Sequence, residues 1–203
     1  MTTRRARGES ARVFVGLPLG EDLGERVGER VAEVLPGSDW RRARPAGLHA
    51  TLAFLGDVER TQLEALCARL GAGLAGLAAP HLRLGTAGAF PGFSRPRVLW
   101  IGAEERLVRG ASGRLAECRR AVVEALQAGG IELGDELARP FRPHVTVARP
   151  RGPRASVPAF RALTLALDWD PAAVVLYESR PASGGSLYEP LGTWPLAASG
   201  ELA

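Results

Sequence analysis

Apolar residues along the chain follow two rhythms, a four-residue step that marks helices and short runs that mark strands. Residues 13–17 read as a first strand, broken by Pro18 and Gly20. Leu23, Val27, Val31 and Leu35 then recur every four residues, which predicts a helix over 21–35 that Pro36-Gly37 stops. An arginine-rich loop at 40–44 leads to a strand over 48–55, LHATLAFL. A second helix, introduced by Asp57 and Thr61, carries Leu63, Leu66 and Leu70 and fades after Gly71. Next come a strand from His81 to Leu84, the Gly/Pro loop GAFPGFSRP and the strand RVLWIGA. A long helix is expected over 104–128, with Leu107, Leu115, Val122 and Leu126 inward, although Gly110 and Gly113 weaken its first third. The rest reads as four strands, at 141–148, 160–167, 173–179 and 186–196.

This order predicts an α+β protein with mainly antiparallel sheets flanked by helices. It also repeats. LHATLAFLG and RPHVTVARP share one grammar, a His-x-Thr-apolar core on a strand bounded by loop residues, about half the chain apart. Two pseudo-symmetric lobes that bring the copies face to face across a cleft follow from this. We expect one bilobal domain over residues 10–197, with loose tails at 1–9 and 198–203.

On a strand, residues i and i+2 share a face, so His49 points with Thr51 and His144 with Thr146, each pair spanning about 7 Å. Ala50, Leu52, Val145 and Val147 face the other way and suit a buried supporting layer. Of the three histidines, only His81 lacks the pattern. Two imidazoles near their ordinary pKa of about 6.5 can supply one acid and one base without a metal. The matched motifs do not say which is which.

Composition narrows the chemistry. At 46% apolar the chain can bury a core, and a net charge of +4 favours phosphate-bearing partners without naming one. All 26 basic residues are arginine, which excludes a P-loop, a Schiff-base enzyme and a lysine-dependent nucleic-acid ligase. Cys67 and Cys118 lie in helical segments without C-x-x-C spacing, and no paired carboxylates or His/Asp clusters stand at metal-ligand spacing, so no metal and no cofactor is expected. The segment ARVFVGLPLG is too short for a signal core or a membrane span, and the expected setting is cytoplasmic, away from membranes.

Taken with their flanks, the motifs resemble the two-histidine phosphoesterase superfamily, and within it the bacterial and archaeal RNA 2′,3′-cyclic phosphodiesterases long called 2′-5′ RNA ligases. The segments RVFVGLPL, LHATLAFLG, GAFPGFSRPRVLWIG, FRPHVTVAR, LYESR and LYEPLGTWPL occur in the family's order over most of the chain. The small Ala50 in the first motif departs from the family's larger residue, on the side away from the chemistry. The resemblance implies hydrolysis of a terminal RNA 2′,3′-cyclic phosphate to a 2′-phosphate, with His49 as proton donor and His144 as proton acceptor. Thr51 and Thr146 would donate hydrogen bonds to the phosphate oxygens. Run backward, such a site would form a 2′-5′ linkage without ATP. Arg149, where the family commonly carries an arginine, reads as a phosphate or nucleotide clamp or as an exposed loop residue. Phe14 reads as pocket lining, a base-stacking residue or strand core. Arg41, Arg42 and Arg44 beside Trp40 read as a guide for an RNA backbone or a solvated loop. The expected partner is an RNA or oligonucleotide with a cyclic phosphate end, bound by a monomer. The rivals are a phosphodiesterase of small cyclic nucleotides, ADP-ribose cyclic phosphate or 2′-5′ oligonucleotides, and a non-catalytic RNA-binding module.

Overall fold

Strands that bury one face can join a single sheet when helices cover that face, and the chain follows this plan. The computed structural model describes residues 9–37, 39–107, 113–152, 157–183 and 185–198, so most of the expected tails lie outside the described residues. In chain order the elements are β1 (Ser10–Pro18), α1 (Glu21–Val34), β2 (Trp40–Arg42), a 3-10 turn (Pro45–Gly47), β3 (His49–Glu59), α2 (Arg60–Leu74), β4 (Leu82–Phe90) and β5 (Val98–Glu105). There follow α3 (Arg114–Ala128), α4 (Asp135–Ala138), β6 (His144–Pro150), α5 (Pro158–Arg161), β7 (Thr164–Trp169), β8 (Ala173–Ala182) and β9 (Gly185–Pro195).

The strands form one sheet in the order β7-β4-β5-β6-β3-β1-β8-β9, with β2 added beside β6. All these pairings are antiparallel. Read from the centre outward, β3, β1, β8 and β9 match β6, β5, β4 and β7, so the expected lobes are two halves of one sheet. Their motif strands lie side by side rather than face to face. Strands β3 and β6 share a single registered pair, Ala50 with Val145, where the halves meet.

Helices tie the halves together by crossing over. Helix α1 follows β1 but packs against β7 and α5 of the other half, whereas α3 follows β5 and packs with α2 behind β3. The core between sheet and helices holds fully buried Leu17, Leu52, Leu70, Leu82, Leu99, Ile101, Leu126 and Leu176. Each such side chain contributes roughly 1.5–3 kcal/mol by leaving water. Among the described residues Glu178 is the buried charged group, and Arg60 and Arg180 hold it at 2.6 and 2.9 Å.

Several sequence expectations change here. The arginine-rich loop is in part a strand, because Trp40, Arg41 and Arg42 pair with Pro150, Arg149 and Ala148. The helix expected from Glu104 begins only at Arg114. Glu104 and Glu105 instead finish β5, and Leu107 is 60% exposed rather than in the core. Gly113, a poor helix former, stands at the N-cap of α3. Helix α2 does not fade at Gly71 but runs to buried Leu74, and the bare face at that glycine lets the Trp194 indole approach. Pro158, in the first turn of α5, makes a turn of helix where a strand was expected, and β7 starts at Thr164. Gly88, Ala89 and Phe90, placed in a loop by the sequence, belong to β4.

Candidate active site

The register of Ala50 with Val145 dictates how the motif side chains meet. Counting outward along antiparallel strands, His49 stands across from Thr146 and Thr51 across from His144. The histidines are diagonal neighbours, about 7–8 Å apart at the backbone. Both motifs show the same alternation: Ala50, Leu52, Val145 and Val147 are buried, while His49, Thr51, His144 and Thr146 are partly exposed. Two imidazoles and two hydroxyls therefore line the meeting point of the halves.

Each imidazole is held in the same way. His49 Nδ1 lies 2.7 Å from the Gly47 carbonyl oxygen, and His144 Nδ1 lies 2.6 Å from that of Arg142. A carbonyl only accepts, so Nδ1 carries the hydrogen in both rings and Nε2 is the nitrogen that titrates. The Gly47 carbonyl is set by the 3-10 turn, which rests on α1 at Gly24. A Cβ on Gly24 would stand 2.5 Å from the Pro45 carbonyl oxygen, so only glycine permits this approach.

A bulge in each motif strand shapes the rest of the site. On β1, Val15 and Gly16 pair with Ala53 and Thr51, leaving Leu52 as an extra residue; on β5, Leu99 and Trp100 pair with Ala148 and Thr146, leaving Val147. The extra residue reverses the alternation beyond it. Phe54 and Arg149, five residues after their histidines, thus return to the histidine face, and both are exposed. Strict alternation would have turned Arg149 away.

Aromatic rings support both histidines. Phe14 stacks on His49 at 4.6 Å and Tyr188 meets the same imidazole edge-on at 5.0 Å. Phe14 is only 3% exposed, since Tyr177, Tyr188 and Phe54 enclose it, and its direct contact within the site is with His49. Around His144 stand Phe90 at 5.1 Å and Trp100 at 5.7 Å. The halves differ at one position: Gly16 lies across from Thr51 where Trp100 lies across from Thr146. A Cβ on Gly16 would stand 3.3 Å from His49 Cδ2, so the glycine leaves that ring its place.

Burial lowers the His49 pKa to about 4. The hydrogen bond to Gly47 opposes this shift and the neighbouring His144 adds to it. His49 is therefore neutral at pH 7 in the ligand-free chain, and it senses His144 on the neighbouring strand.

Sequence reasoning brought His49, Thr51, His144, Thr146, Arg149 and Phe14 into one neighbourhood, and it left out Phe54, Phe90, Trp100, Tyr177 and Tyr188. Phe90, Trp100 and Tyr188 lie within segments that carry the family resemblance, but only the bulges and the sheet order place them at the histidines. Arg42 turns to the opposite face, where it donates to the Leu35 carbonyl oxygen at 2.8 Å. His81 pairs with Asp170 at the start of β4. Among the described residues no group of three or more His, Cys, Asp or Glu is placed to hold a metal ion, and no helix is long and apolar enough to cross a membrane. Burial pushes the Cys118 thiol up to about 11, which suits a core residue rather than a ligand.

Comparison with known proteins places the chain in a family. The model of the 2′-5′ RNA ligase superfamily matches residues 24–180. A Thermus thermophilus protein named RNA 2′,3′-cyclic phosphodiesterase is 35% identical over 186 residues, 87% of this chain and 86% of its own length. An Escherichia coli protein of the same name is 30% identical over 190 residues, covering 93% of this chain and 98% of that protein. Among solved structures, one from Thermus thermophilus aligns with a TM-score of 0.72 at 30% identity, over 93% of this chain and 99% of the other. The structure of Escherichia coli LigT complexed with 3′-AMP aligns with a TM-score of 0.71 at 26% identity, over 93% and 99% of the two chains. With a family match over most of its length and both motifs gathered at one place in the sheet, this chain belongs to the 2′-5′ RNA ligase superfamily.

Proposed function

We propose that the chain is an RNA 2′,3′-cyclic phosphodiesterase that opens a terminal cyclic phosphate to a 2′-phosphate. The observation that carries this reading is the quartet around Ala50 and Val145, in which each histidine stands across from the other motif's threonine. A cyclic phosphate seated between the imidazoles has a nitrogen on either side and a hydroxyl beside each. Nε2 of His144 takes a proton from water as its oxygen attacks phosphorus. The bond from phosphorus to the 3′ oxygen breaks, and Nε2–H of His49 delivers the proton that this oxygen needs. Thr51 and Thr146 donate to the non-bridging oxygens as charge grows there. With a 5′-hydroxyl in place of water, the same steps yield a 2′-5′ linkage without ATP.

His49 must carry a proton to act as the acid, although its pKa near 4 leaves it neutral in the free chain. A phosphate anion against Nε2 supplies the opposite charge that favours imidazolium, and the Gly47 carbonyl accepts from the other ring nitrogen. Substrate and proton thus arrive together.

The test is to incubate the protein with a nucleoside 2′,3′-cyclic phosphate and with a cyclic-ended oligonucleotide and to identify the product isomer. A 2′-phosphate is the expected product. A 3′-phosphate, or no turnover of either substrate, would overturn the reading.

A further inference from the structure

The pseudo-two-fold arrangement of the sheet breaks down at its outer strands. Strand β7 pairs with β4 from Leu82 to Thr86 and stops short of Phe90. Its counterpart β9 pairs with β8 from Ala173 to Ala182, past Tyr177, which holds on β8 the place that Phe90 holds on β4. The extra length carries Tyr188, which therefore has no counterpart on β7. The Tyr188 ring meets the imidazole of His49 edge-on at 5.0 Å and the Phe14 ring, stacked on that imidazole, at 5.1 Å. The same ring lies over Gly47, where a Cβ would be 3.4 Å from the Tyr188 Cδ2. Gly47 is the residue whose carbonyl oxygen accepts from His49 Nδ1. The hairpin is anchored from its other face. Glu189 pairs with Arg180 at 2.7 Å, and Arg180 together with Arg60 of α2 holds the buried Glu178. Adjacent strand residues project from opposite faces, so this network sits behind the sheet while Tyr188, 36% exposed, stays on the site face.

We propose that Tyr188 is a positioning residue for His49: its ring holds the imidazole against Phe14 and the Gly47 carbonyl and shields it from water, a restraint that β7 does not supply to His144. The inference rests on the proposed phosphodiesterase reading and adds to it a structural cause for the unequal roles of the two histidines. Packed in this way, the imidazole cannot turn about its Cβ–Cγ bond without displacing the phenol. Nδ1 therefore stays on Gly47, and Nε2 is left for the substrate. The groups that face His49 are few. Strand β1 presents Phe14 and Gly16, its own strand presents Thr51, and the 3-10 turn has no titratable side chain. Strand β6 presents His144, while β8 and β9 present the phenols of Tyr177 and Tyr188. A phenol is uncharged at neutral pH, and burial pushes that of Tyr177 higher still. The effect of the Tyr188 ring on His49 is therefore to exclude water, which disfavours imidazolium, the direction in which His49 is displaced.

The test replaces Tyr188 with Ala and with Phe in the full chain. The His49 imidazole is titrated by NMR without substrate, its signal identified by its loss in His49→Gln, and kcat and KM are measured with a nucleoside 2′,3′-cyclic phosphate. Tyr188→Ala is expected to raise the His49 midpoint from about 4 towards the ordinary 6.5. It is also expected to lower kcat roughly ten- to hundredfold, with a smaller change in KM. Tyr188→Phe keeps the ring and is expected to restore both quantities to those of the unaltered chain. Tyr188→Leu, which keeps apolar bulk on the hairpin but no ring, is read in the same way as Tyr188→Ala should that variant fail to fold. A midpoint that does not move on loss of the ring overturns the inference. A rise in KM at constant kcat, the mark of a ring that touches substrate and not the histidine, overturns it too, and so does a Tyr188→Phe variant as impaired as Tyr188→Ala. If the unaltered chain turns over no cyclic phosphate, the functional reading falls by itself, because the titration, made without substrate, still decides whether Tyr188 shields His49.

Discussion

Ala50 on β3 and Val145 on β6 form the one registered pair between the motif strands among the described residues, and the pseudo-two-fold axis of the sheet passes through it. Both side chains are fully buried, at 1% and 0% exposure, so the contact is fixed from behind by the core. The four polar side chains of the motifs are its nearest neighbours on the opposite face. A small shift of this register would separate each histidine from its threonine partner, and thus the geometry of the candidate site is a consequence of core packing.

The quartet makes four separable demands on turnover. Replacing His49 or His144 with Ala is expected to lower kcat by about 10²–10⁴-fold, with substrate binding largely retained. Thr51→Val and Thr146→Val should lower it by about 10–10³-fold by removing one donor to the developing charge. Single-turnover rates beside direct binding measurements decide this; wild-type rates in either histidine variant would exclude the acid-base scheme.

Every role in that scheme is filled by an imidazole or a hydroxyl, without a carboxylate. Activity is therefore expected to persist when the protein is assayed in excess EDTA. Loss of activity there, with rescue by an added divalent ion, would show that a metal supplies the Lewis acid or activated water instead.

Much of this site was legible in the sequence because a strand obeys a period of two: His and Thr at i and i+2 must share a face, with Ala50 and Val145 behind them. Arg149 illustrates where that rule ends. Its odd spacing from His144 points it away by strict alternation, and only the extra residue Val147 returns it to the histidine face, a feature set by pairing with β5 that no local pattern encodes. The strand character of β2 was hidden for a related reason: Trp40, Arg41 and Arg42 have no alternation of their own and become a strand by pairing with β6. Leu107 was assigned to the core by helical spacing, but Glu104 and Glu105 pair as the end of β5, and Leu107, just beyond that strand, stays 60% exposed.

Gly24 is predicted to matter for catalysis at a distance. A methyl group there meets the Pro45 backbone at 2.5 Å, so Gly24→Ala must push α1 away from the 3-10 turn that sets the Gly47 carbonyl. Overpacking of this kind costs typically 1–3 kcal/mol of stability. The expected outcome is a lower midpoint of denaturation together with a lower kcat at temperatures where the variant is folded. Full activity in the folded variant would show that the turn does not position His49.

The depressed pKa of His49 makes a claim about folding. Its value is about 6.5 in the unfolded chain and about 4 in the folded one, so between these limits the unfolded state binds more protons. Stability is therefore unaffected by this group above pH 6.5 and falls as pH drops from 6.5 towards 4. His49→Gln, which cannot protonate, should make denaturation curves at pH 7, 6 and 5 lie closer together than those of the unaltered chain. Identical pH slopes for the two proteins would mean that His49 is not desolvated in the folded state.

The same residue links substrate binding to a proton. If His49 is the acid, a cyclic phosphate must raise its pKa from about 4, and the complex takes up a proton at a pH between the free and bound values. The diester's own charge is fixed at this pH, so the protein is the source of any uptake. His144→Ala, which is expected to hold substrate without turning it over, allows the measurement: calorimetric titration at pH 6 with a nucleoside 2′,3′-cyclic phosphate, in two buffers of different ionisation enthalpy. Proton uptake that disappears on adding His49→Gln supports His49 as the donor. Binding without uptake would leave His49 neutral in the complex, and the acid and base roles would then have to be exchanged, with His144 delivering the proton to the 3′ oxygen.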